Sequence, residues 1–84
     1  MNITGTIKEI GTTEEFGTNG FTKRNLIVDN GEQYTDAFCI EFHKDKCSLL
    51  DNLSVGQNVN VSINMKSREY NGRYFTSLIG WKIE

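Results

Sequence analysis

The sequence has no proline, two cysteines, one histidine and one tryptophan in 84 residues, and nowhere an apolar run near the ~20 residues that cross a bilayer. Each scarcity removes a class of protein. Cys39 and Cys47 are too few for a disulfide scaffold. With His43 they share an i, i+4, i+8 spacing that one helix could align, but this supplies only three ligands and Cys39 lies in a strand-like run, so no metal or other cofactor is expected. The opening Met1-Asn2-Ile3-Thr4 has no basic segment followed by an apolar one, so neither a leader nor membrane association is expected. The chain reads as soluble and, with free thiols, as cytoplasmic. Positive charge is also short: nine Lys and Arg against eleven Asp and Glu leave a net −2, so any polyanion partner has to be argued from local charge.

With 37% hydrophobic residues, a chain of this length supports one thin core and a single domain over residues 1–84. Domains this small bury only roughly 60% of the surface their unfolded chains expose, which leaves no room for a deep walled cavity. No serine or cysteine nucleophile has an orienting partner and no glycine loop is built to cradle phosphate, so enzymatic activity is not expected.

Alternating apolar and polar residues mark the strands. Ile3 and Ile7 alternate with Thr4, Thr6 and Lys8, and Ile10 falls out of phase; with Gly5 inside the run, this predicts a bent strand that serves two sheets at a barrel corner. Thr12 to Gly20 is expected to be a long loop with one aromatic, Phe16. Phe21 to Asp29 and Gln33 to Phe42 are strand-like and should pair antiparallel through Asn30-Gly31. Asp45 to Leu53 is the helix candidate, with Asp45 as cap and Leu49, Leu50 and Leu53 on one face. From Gln57 to Lys66, Val59, Val61, Ile63 and Met65 face the core against a solvent row of asparagines, and Asn71-Gly72 turns the chain into a last strand, Arg73 to Ile83. Five short strands avoid open edges by closing into a Greek-key barrel of the OB type, all-β, with a short helix between the third and fourth strands; an SH3-like barrel is the competitor. Phe38 and Trp81 sit in apolar runs and are assigned to the core, although strict alternation turns Trp81 outward unless Gly80 hosts a bulge. His43 is read as a surface residue at a strand end.

A two-residue turn at Asn71-Gly72 sets Tyr70 opposite Arg73 and Arg68 opposite Phe75. Lys66, Arg68, Tyr70, Arg73 and Phe75 then share one face of a ribbon, and Met65, Ser67, Glu69, Tyr74, Thr76 and Leu78 the other. Residues 66–84 hold four basic and two acidic residues, whereas residues 1–65 hold five basic and nine acidic. Cations track phosphates and exposed rings accept unstacked bases, so this face suits single-stranded DNA, bound largely without sequence preference. The candidate contacts are Lys23, Lys66, Arg68 and Arg73 for phosphate and Phe16, Phe21, Tyr70 and Phe75 for stacking, with Tyr74 in reserve. Phe16, Phe21 and Lys23 should stand on one wall and the Arg68–Phe75 ribbon on the other, because an OB barrel binds oligonucleotides on its second and third strands and flanking loops. So few cations bind weakly alone, and self-association would multiply contacts on one strand. The competing readings are a module docking on a replication or virion protein, single-stranded RNA binding, and cross-strand pairs that only stabilise the ribbon.

Nearly the whole chain also resembles the small OB-fold proteins of bacteria and phages grouped as domain of unknown function 3127, which are regarded as single-stranded-DNA-binding-like. The likeness rests on Ser67-Arg68-Glu69-Tyr70-Asn71-Gly72-Arg73 with the late Trp81-Lys82, then on Met1 to Gly5, on Phe21, Lys23 and Arg24, on Tyr34 and Cys39, and on Leu53-x-Val55-Gly56-x-x-Val59. It departs at Phe21 and Tyr74, where the pattern has tryptophan, at His43, which replaces an aromatic, and at Asp36 and Ala37, which stand at positions often basic. Some members come from phages of gut Bacteroidetes, so the resemblance implies a role in DNA replication, recombination or repair, in the host cytoplasm if phage-encoded. Better-known single-strand binders recruit partners through an acidic tail. Because this chain stops at Trp81-Lys82-Ile83-Glu84, tail-mediated recruitment is not expected.

Overall fold

The computed structural model describes residues 1–16, 20–31 and 37–84, save for the side chain of Phe16. Among the described residues, six strands form: β1 (Asn2–Ile10), β2 (Glu14–Phe16), β3 (Phe21–Asp29), β4 (Phe38–His43), β5 (Asn58–Tyr70) and β6 (Arg73–Ile83), with a 3-10 helix over Lys44–Leu50. The sheet runs β1-β5-β6-β4-β3-β2, and β1 also pairs with β3, which closes the five long strands into a ring. All pairings are antiparallel except β4 with β6. This is the Greek-key order of an OB barrel, with the helix after the third long strand.

Closure depends on the bent first strand. β1 pairs with β5 through Asn2–Thr6 and with β3 through Thr6–Ile10, with a register shift between Ile7 and Glu9. Gly5 stands where the two pairings meet, and a Cβ there would collide with the Asp29 carbonyl oxygen, so the corner admits only glycine. Inside the ring, Ile7, Leu26, Val28, Ile40, Phe42, Leu50, Val59, Val61 and Ile63 form one buried cluster, and Phe38, Leu53, Leu78 and Ile83 pack on it half-buried. The strands supply these positions at every second residue, the period with which side chains change face.

Several expectations are corrected. The Thr12–Gly20 segment is not all loop, because Glu14–Phe16 pairs with Lys23, Thr22 and Phe21 on the flank of β3 that β1 occupies further along; residues 17–19 lie outside the description. Asn30-Gly31 is not a two-residue hairpin turn. Val28 pairs with Phe38, so residues 30–37 separate β3 from β4, and only Gly31 of the dipeptide has positive φ, at 81°, with its N–H bonded to Asp29 Oδ1 at 2.8 Å. The expected start of the next strand at Gln33, and Tyr34 and Asp36, fall in residues 32–36, outside the description.

The helix is 3-10 rather than α, begins at Lys44 and is preceded by His43 as its N-cap residue, without a side-chain capping bond; Asp45 lies in its first turn. Three residues per turn align Cys47 with Leu50 and leave Leu49, expected inside, 39% exposed. Trp81 is 47% exposed and not in the core. Ser62 pairs with Lys82 but Ile63 with Gly80, so Trp81 is the extra residue of a bulge, and the interior place beside it belongs to Phe42, whose ring a Cβ on Gly80 would strike. Met65 is also outside, on a stretch of β5 that only β6 flanks.

Candidate nucleic-acid interface

The last hairpin extends past the barrel as an arm. Asn71 and Gly72 have φ of 52° and 78°, both positive as a type I′ turn requires, so the turn sets the register. Lys66 faces Ser77, Arg68 faces Phe75 and Tyr70 faces Arg73, which gathers these side chains on one face. Phe75 is 50% and Tyr70 66% exposed, so burial does not account for either ring.

On β3, Leu26 and Val28 are buried, and Arg24 shares their side. Its guanidinium spans the barrel end: Nε donates to the Gly11 carbonyl at 2.7 Å, and Nη1 to Asp51 Oδ1 at 2.7 Å and the Cys47 carbonyl at 3.4 Å. Phe21 and Lys23 take the outer side. The antiparallel register puts Lys23 against His43 and Asn25 against Glu41, and the parallel one puts Glu41 against Ile79. The outer face therefore runs from Phe21 and Lys23, across Glu41 and His43, to Ser77 and Phe75 and the cations Lys66 and Arg68. Together these side chains line an open groove of about 530 Å³.

Of the expected residues, Phe21, Lys23, Lys66, Arg68 and Phe75 meet in this groove. Tyr70 and Arg73 continue the same face toward the tip without lining it, and Tyr74, opposite Glu69, is on the other face of the arm. The backbone of Phe16 pairs with Phe21, and its side chain lies outside the description. Lys82 is held at the far end by Glu84, 2.8 Å away.

Glu41 and His43 were not expected as groove residues. Had Ile40 and Phe42 been recognised as the inward pair, alternation alone would have turned Cys39, Glu41 and His43 outward. His43 Nε2 is 3.0 Å from Glu41 Oε1, its ring centroid is 5.1 Å from that of Phe21, and Lys23 Nζ is 3.9 Å from the same carboxylate oxygen. Burial pushes the Glu41 carboxyl up, but hydrogen bonds from His43 and Ser77 and the nearby Lys23 and His43 charges outweigh it and hold its pKa below the ordinary 4.5. The groove thus has positive and aromatic walls and an anionic floor. Burial, reinforced by the Glu41 charge, pushes the neighbouring Cys39 thiol up, away from a reactive thiolate.

The described strands close into a five-stranded barrel of OB topology, with Phe21 and Lys23 from β3 and Lys66, Arg68 and Phe75 from the arm lining one outer groove. The chain belongs to the family described as Domain of unknown function (DUF3127), whose model matches residues 2–84. Among curated proteins no match is found.

Proposed function

We propose that this chain is a non-enzymatic protein that binds single-stranded DNA, largely without sequence preference, in support of replication, recombination or repair. The observation that carries the reading is that Phe21 and Lys23 from β3 and Lys66, Arg68 and Phe75 from the arm, 40 or more positions apart in the chain, line one groove. Cations at the rims can track phosphates, and half-exposed rings offer stacking shelves that paired bases of a duplex could not reach. Arg73 and Tyr70 prolong the track toward the tip. With about four phosphate contacts on one domain, binding gains from a second copy on the same strand, so self-association belongs to the proposal.

The test is fluorescence polarisation of labelled oligo-dT with wild type and an Arg68→Ala, Arg73→Ala double variant at two salt concentrations. Wild-type affinity should fall with a log–log slope near −0.7 per phosphate contact, and the double variant should bind more weakly with roughly half that slope. Equal binding by the two removes the groove as the site. Failure of both to bind favours a surface for docking proteins, whose ring-dominated contacts would respond little to salt. Competition between oligo-dT and oligo-U distinguishes DNA from RNA.

A further inference from the structure

Glu41 is an anomaly in a groove for a polyanion. Its neighbours in β4, Ile40 and Phe42, fill the core, and nothing in that packing calls for a carboxylate on the outer side. The partially exposed pairs with His43 and Lys23 are of a kind that contributes little to stability, and a negative charge between phosphate-binding cations weakens the hold on phosphate. A carboxylate in this place serves a bound strand only by touching something other than its backbone.

We propose that Glu41 reads a base: its carboxylate accepts the paired N–H donors on the Watson–Crick edge of guanine, so that a bound single strand prefers guanine at one position. This inference rests on the preceding reading. An ionised carboxylate only accepts hydrogen bonds and has about four lone-pair sites, of which His43 and Ser77 engage two. Guanine alone presents two adjacent N–H donors, N1–H and N2–H, to such a fork. Thymine sets one N–H between two carbonyls, whose lone pairs the carboxylate repels, and cytosine and adenine set an amino group beside an acceptor nitrogen. The ammonium of Lys23, 3.9 Å from Glu41 Oε1, adds a donor beside the two acceptor oxygens and so matches the O6 of the same base edge. The Phe21 ring, packed at 5.1 Å from His43, provides the shelf on which such a base can stack.

The experiment measures fluorescence anisotropy with labelled oligo-dT of about 12 nucleotides, unsubstituted or with one central guanine or inosine; inosine lacks the N2 amino group. A bidentate contact of this kind is worth about fivefold or more in affinity, so wild type should bind the guanine oligonucleotide at least that much tighter than oligo-dT, with inosine between. Glu41→Gln, which keeps the side-chain shape, should lose the preference for guanine over thymine. Wild type binding all three alike, or Glu41→Gln keeping the preference, overturns the inference while oligo-dT binding leaves the broader function standing. Failure of wild type to bind any of the three overturns both.

Discussion

Ile63 and Met65 occupy the same face of β5, two residues apart, yet Ile63 is buried and Met65 is 56% exposed. The difference lies in what stands opposite. At the barrel end, β5 is flanked by β1 as well as β6, and Val59, Val61 and Ile63 join Ile7, Leu26 and Phe42 in the core. Beyond Ser62, β1 no longer pairs with β5, and beyond Leu78 toward the tip β4 no longer pairs with β6. The arm is left as a two-stranded ribbon with both faces in solvent. One hairpin with one alternation therefore divides into a half that stabilises the fold and a half whose residues are free to be chosen for binding. An exposed ring means something different in each half: Trp81 is displaced by a bulge at a core position already filled, whereas Phe75 stands where there is no core to enter.

This contrast can be broken by substitution. Ile63→Ala should cost about 2–5 kcal/mol of unfolding free energy, and Met65→Ala no more than about 0.5, in denaturant titrations of the two variants side by side. Comparable losses would mean that the arm carries part of the core. Gly80→Ala should destabilise by about 1–3 kcal/mol, because the Phe42 ring it strikes is fully buried and has nowhere to move; a thermal melt unchanged from wild type would contradict the packing of Phe42 over Gly80. The smallest effect is at the seam between the halves, where Glu41 has a lowered pKa. Its stabilising contribution is complete above the ordinary 4.5 and is lost as pH falls through the lowered value, so the stability difference between wild type and Glu41→Gln should shrink on acidification through that range. A difference that grows as pH falls would reverse the sign.

The arm was the most legible part of the chain because one local device decided it. Asn71-Gly72 adopts the two left-handed conformations that a two-residue turn demands, and from that turn every cross-strand pair down to Met65 and Leu78 follows by counting. The same dipeptide at Asn30-Gly31 misled: only the glycine is left-handed, and the register of β3 on β4 is set by inward Leu26, Val28, Ile40 and Phe42, whose alignment no local rule states. Strand existence survived this error, since alternation is local, but which outward side chain neighbours which did not. Glu41 and His43 thereby escaped notice as groove residues. The helix was misjudged for a related reason: both periods place Leu50 and Leu53 on the barrel, and only the tighter one substitutes Cys47 for Leu49. Trp81 and Met65 depend on where the core ends, a property of the assembled barrel and not of either strand.

The ring is completed by its shortest ladder, the parallel pairing of β4 and β6 at Ile40 with Leu78 and Glu41 with Ile79. That two-pair clasp lies directly beneath the groove. Thermal breathing of the barrel should begin at this gap, and any ligand lying across it holds both edges at once, like a suture, so occupancy and rigidity rise together.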